Sequence, residues 1–126
     1  MPELNAIGIT VADMAASIRF YRLLGLDVPD TPDEGHVDAF LPNGVRFMLD
    51  SEEVVRSFIP DWQRTNGNQI GVALECASPA EVDEVYARVV AAGFEGEKDP
   101  WDAFWGQRYA LLIDPDGVRV SLYAAL

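Results

Sequence analysis

The chain has 126 residues and a net charge of −12, from 21 acidic against 9 basic side chains. That balance leaves too few cations to neutralise phosphates and sets aside nucleic acid and anionic membranes as partners. With 49% hydrophobic and 24% charged residues, it reads as one globular domain large enough for a real core. No run approaches the roughly 20 apolar residues of a membrane span. The opening MPELNAIGIT lacks a leader's basic start and apolar stretch, and the lone Cys76 has no disulfide partner, so a cytoplasmic setting is expected.

In chain order, IGITV at 7–11 alternates apolar and small residues and predicts a strand. The stretch 13–25, DMAASIRFYRLLG, predicts an amphipathic helix capped by Asp13 and ended by Gly25. Two strands follow, at about 36–41 and 45–50, joined by Pro-Asn-Gly, with a further short strand left open between helix and hairpin. Ser51, Glu52 and Glu53 predict the start of a short helix that turns Val54, Val55 and Phe58 inward and stops at Pro60. The segment 51–68 is expected to link two modules, about 4–50 and about 69–126.

The same plan then repeats. IGVAL at 70–74 is a strand, and SPAEVDEVYARVVAAG at 78–93 is a helix with Ser78 and Glu81 as a capping box and Gly93 as its end. Strands at about 107–113 and 118–124 flank Asp-Pro-Asp-Gly. The fragments LPNGVRFML and DPDGVRVSL are thus two copies of one hairpin. The predicted fold class is α+β, two repeated βαβββ-type modules forming a curved mixed sheet with helices outside. A period of two places Ile7, Ile9, Val11, Val45, Phe47, Leu49, Ile70, Val72, Leu74, Val118, Val120 and Leu122 under the helices. The opposite faces, among them Met48, Asp50, Glu75 and Ser121, are expected to line a cleft.

IGITVADMAASIRFYRLLGL, RYALLIDPDGVRVSLY and the internal duplication resemble the vicinal oxygen chelate superfamily of glyoxalases, bleomycin-resistance proteins and dioxygenases. Metal-dependent members are similar in holding a divalent ion at four strand positions, which fall here on Ala6, Met48, Gln69 and Ser121. Neutral oxygens, a thioether and a methyl group make no site for a hard or borderline dication. No metal and no cofactor are expected. The only histidine, His36, reads as an ordinary surface residue in an acidic loop or strand edge, and Asp50 and Glu75 read as solvated strand ends. With one His and one Cys no nucleophilic triad is available, and Cys76 reads as a small buried hydrophobe.

The segment that breaks the repeat, EGEKDPWDAFWGQRY at 95–109, gathers Trp101, Phe104, Trp105 and Tyr109 beside Asp99 and Asp102. Its Trp-Gly-Gln-Arg-Tyr, 105–109, resembles the stretch before the last hairpin of bleomycin-resistance proteins. That resemblance implies a metal-free cleft in a homodimer that sequesters a flat, often cationic drug without transforming it. Planar rings stack on Trp and Tyr, and cations gain from ring faces. The expected binding residues are Trp101, Phe104, Trp105, Tyr109, Met48, Trp62, Asp102, Gln69 and Ser121. The expected ligand is an aromatic small molecule such as an antitumour antibiotic, giving drug resistance or self-protection. The aromatic residues could instead build the core or a dimer interface, and the alternative function is an enzyme of the same fold with an unusual or absent metal site.

Overall fold

The computed structural model of the protein describes residues 1–65 and 69–126. The chain divides into two compact units, Met1–Arg64 and Thr65–Leu126, with the division inside the segment expected to link the modules. No helix among the described residues is long and apolar enough to cross a membrane.

The first unit contains β1 (Ala6–Val11), α1 (Met14–Leu23), β2 (His36–Phe40), β3 (Arg46–Ser51) and α2 (Glu52–Phe58). Its three strands lie in the order β1-β3-β2, parallel between β1 and β3 and antiparallel between β2 and β3. The second unit contains β4 (Gly71–Glu75), α3 (Pro79–Ala91), β5 (Glu95–Ala103), β6 (Gln107–Ile113) and β7 (Arg119–Ala125). Its sheet has the order β4-β7-β6-β5, with only the β4–β7 pair parallel. Two mixed sheets of 3 and 4 strands with three helices make an α+β fold of two related modules.

The helix boundaries follow from local chemistry. Asp13 accepts from the amide of Ala16 and Ser78 from that of Glu81, each satisfying a donor that the first turn leaves unpaired. Both long helices end in the same motif. Gly25 and Gly93 take φ of 94° and 95°, where a Cβ would strain the backbone. Their amides reach Arg22 and Val90, while Leu26 and Phe94 reach back to Tyr21 and Val89. The capping box is not reciprocal, because the Glu81 carboxylate accepts from Ala77 and not from Ser78.

The strand left open after the first helix does not form. Residues 24–35 are loop and turn, since Pro29 and Pro32 have no amide to give a ladder. The corresponding strand in the second unit, β5, is the longest among the described residues and carries Trp101 of the aromatic insert, with Phe104 and Trp105 in the turn that follows, and its register shifts between Gly96 and Lys98 and between Lys98 and Trp101.

Side-chain alternation matches the expected period of two in the strands that helices cover. Phe47 and Leu49 of β3 are buried, as are Val120, Leu122 and Ala124 of β7 and Ala110 and Leu112 of β6. Three expectations fail at the margins, the first at Ile7 on the edge strand β1, which is 39% exposed. Ile70 lies before β4 and is 77% exposed, and Val72 and Leu74 are only half-buried. The strand β4 is a sheet edge, and α3 packs on β5, β6 and β7 instead. In α2 only Val55 is buried and Phe58 is 66% exposed, because two helical turns offer one residue a fully covered position.

Candidate functional site

We call the face of each sheet turned away from its helices the open face. In the second unit, strand register builds this face in rows. Glu75, Tyr123, Tyr109 and Trp101 lie side by side across β4, β7, β6 and β5. The next row holds Ala73, Ser121, Leu111 and Lys98. Tyr109 and Tyr123 stack at 6.2 Å between ring centroids with planes 24° apart. Trp101 meets Tyr109 edge-on at 5.5 Å, and Trp105 meets both, at 6.0 Å and 5.3 Å. Phe104 stands on Trp105 at 5.0 Å.

These rings are half-open to solvent. Trp101, Tyr109 and Tyr123 are half-buried, Trp105 is 48% exposed and Phe104 97% exposed. The Trp105 indole N–H donates to Gln107 Oε1 at 2.9 Å, which fixes the ring while leaving its edge accessible. At the β4 end the Tyr123 hydroxyl donates to Glu75 at 3.3 Å. Desolvation, followed by the charge of Glu75, pushes the Tyr123 phenol up, so it remains a neutral donor at physiological pH.

The open face of the first unit is polar. Its rows are Phe40, Arg46 and Ala6; Asp38, Met48 and Gly8; His36, Asp50 and Thr10. His36 is not an isolated surface residue. Nδ1 meets Asp50 Oδ1 across the β2–β3 pair, and Nε2 lies 2.9 Å from Asp38 on its own strand. The hydrogen bond to Asp50, then the close contact with Asp38, raise the imidazole above its ordinary value of about 6.5. A raised folded-state pKa stabilises the fold fully below about 6.5 and loses that contribution as pH climbs through the higher folded value. Stability should therefore fall on the alkaline side of neutrality, and His36→Gln should flatten the profile. Urea midpoints measured across that range check this, and parallel profiles in the two proteins would refute it.

The structure brings Trp101, Phe104, Trp105, Tyr109 and Ser121 to one face of the second unit. Asp102 is not with them. It pairs in register with Arg108 and bonds that guanidinium at 3.1 Å, while Arg108 also holds Asp83 of α3, so Asp102 lies on the helix side. Met48 is half-buried on the open face of the first unit. Trp62 follows α2, with the Arg56 and Arg64 guanidiniums 5.3 Å and 5.7 Å from its ring. Gln69 is exposed just before β4. Cys76 is half-buried after β4, its thiol pushed up by desolvation and then by Glu81.

Lys98 and His36 escaped sequence reasoning, while Tyr123 was expected on the cleft face by strand parity but not named as a binding residue. Tyr123 stacks on Tyr109 only because β6 and β7 pair in the observed register. Lys98 sits over Trp101 only because the bulges of β5 realign it. His36 gains its partners through its position as first residue of β2, where period-two spacing to Asp38 was the available signal.

The ligand positions used by metal-dependent proteins of this fold do not fit an ion here. Ala6 and Met48 share the open face of the first unit, and Ser121 lies beside Ala73 and Leu111, with no ionisable donor at any of the four positions. His36, Asp38 and Asp50 do not substitute, because the two imidazole nitrogens point to different carboxylates and cannot converge. Among the described residues no group of three or more His, Cys, Asp or Glu is arranged to hold a metal.

Fold and site together define an α+β protein of paired modules whose second sheet presents an aromatic open face. The chain belongs to the Glyoxalase/Bleomycin resistance protein/Dioxygenase superfamily, whose family model matches residues 3–122. Among solved structures, it resembles a glyoxalase/bleomycin resistance protein/dioxygenase from Nocardioides, with 28% identity over 100% of this chain and 85% of that one, at a TM-score of 0.77. A family enzyme from Burkholderia phytofirmans PsJN is 18% identical over 99% and 100% of the two chains, at a TM-score of 0.85. A glyoxalase-related enzyme from Fulvimarina pelagi is 20% identical over 98% and 88%, at 0.82. The last two likenesses establish the fold alone. No curated protein matches the sequence.

Proposed function

We propose that this protein binds a planar aromatic small molecule on the open face of its second sheet and holds it unchanged. In a bleomycin-resistance type of protein, such sequestration would protect against an antibiotic. The observation behind this reading is the cluster of Trp101, Trp105, Tyr109 and Tyr123, half-open to solvent on one sheet face. Flat π surfaces gain about 0.5–1.5 kcal/mol from such rings beyond simple burial. The net charge of −12 favours ligands that carry a positive group at some point. The reading includes a homodimer, in which a second copy covers apolar sheet edges.

Trp105→Ala should weaken binding of acridine, used as a flat probe, by about three- to tenfold, the equivalent of one ring contact. Because the ring is half-exposed, the melting temperature should move little. Fluorescence titration and thermal unfolding of the same variant check both, and equal losses in affinity and stability would assign the ring to the core. The alternative is an enzyme, a description given to the Burkholderia and Fulvimarina proteins. Recovery of a chemically altered ligand would favour it.

A further inference from the structure

The aromatic face has two electrically different ends. Its row begins at Glu75 on β4 and ends at Trp101 on β5, where Lys98 Nζ lies 4.1 Å from the ring centroid. Lys98 is the only lysine of the chain. Its acidic neighbours are engaged elsewhere. Glu97 is held by both donors of Arg119 at 2.8 Å and 2.7 Å, and Asp99 accepts from Tyr86 of α3 at 2.9 Å. Among the described residues no carboxylate is in ion-pair range of the ammonium, whose partner is the π face.

An ammonium already seated on a ring repels a second cation there and attracts an anion to the ring's margin. Three strand intervals of about 4.8 Å separate β4 from β5, so the carboxylate and the ammonium bracket a stacking surface about 14 Å wide. We propose that Lys98 selects for an acidic substituent, and that the ligand is a flat aromatic acid whose carboxylate or phenolate lies at the β5 end. Any cationic group then lies toward Glu75. This rests on the aromatic-face reading above and adds a charge and a direction to it. The general negative field of the chain does not cancel the preference, because it is screened beyond about 8 Å at physiological salt while a direct contact is not.

The test compares naphthalene-2-carboxylate with naphthalene-2-methanol, neutral and of the same shape, by ligand-observed NMR titration at physiological salt. In Lys98→Gln the ratio of the two dissociation constants should shift about three- to fivefold toward the alcohol, the range of an exposed ion pair, and Lys98→Arg should restore it. An unchanged ratio, with both compounds binding, overturns the role of Lys98 and leaves the aromatic site standing. Failure of both compounds to bind the wild-type protein at millimolar concentration overturns the aromatic site and this proposal with it.

Discussion

Leu49→Ala should destabilise the protein by about 2–5 kcal/mol, whereas Met48→Ala, one residue away, should cost under about 1.5 kcal/mol. Leu49 is fully buried on the helix side of β3, pairs in register with Ile9 and Val37, and leaves a cavity that a central strand cannot close. Met48 faces the other way, half-exposed, with its Cε where a Cβ on Gly8 would stand 3.3 Å away. Its truncation removes little buried area and opens no enclosed void. Chemical denaturation of both variants measures the difference. Similar losses would mean that β3 is covered on both faces, and the distinction between helix side and open face would fail.

Gly96→Ala should be the most damaging single-methyl addition on β5, at about 1–3 kcal/mol. A Cβ there would fall 2.1 Å from the Tyr86 hydroxyl oxygen, 2.7 Å from its ring and 3.1 Å from Val90. Tyr86 has no room to give, because it is buried against the sheet and bonded to Asp99, whereas Val90, 40% exposed on the same helix, can turn aside. The helix α3 must lift or the Tyr86–Asp99 bond must break. The phenol, now pushed up to about 12 by desolvation and then by Asp99, should return toward its ordinary range. Ultraviolet titration of tyrosine ionisation together with a melting curve reads both effects. Glu95→Ala, at an exposed site on the same strand, is the control.

Much of the fold could be read from local chemistry. Asp13, Ser51 and Ser78 cap the three helices because side-chain oxygens there meet amides that have no other partner. The duplicated hairpins were visible because turn geometry restricts residue choice. Asn43 bonds the amide of Val45, and Asp114 bonds those of Asp116 and Val118. What escaped depended on partners distant in sequence. Ile70 reads as core by periodicity, yet it lies before the edge strand β4, while α3 packs mainly on β5, β6 and β7. Asp102 reads as a neighbour of Trp101, but adjacent strand residues point to opposite faces, and Arg108 holds it on the other side.

The candidate site was half visible for the same reason. The rings of the insert cluster within one stretch of sequence, so Trp101, Phe104, Trp105 and Tyr109 could be named together. Tyr123 and Glu75, expected on the cleft face by strand parity, join the same row only through the register of β4, β6 and β7. That Ala6, Met48, Gln69 and Ser121 carry no ionisable donor follows from residue type and needs no partner distant in sequence. His36 was undervalued because its two carboxylate partners become neighbours only when β2 pairs with β3.

The most direct measurement of the central claim is a set of intermolecular NOEs between naphthalene-2-carboxylate and the assigned aromatic protons of the protein. Contacts to Trp101, Trp105, Tyr109 and Tyr123 are expected, with the compound recovered unaltered. Contacts confined to Trp62 or to the helix side of either sheet would contradict the claim.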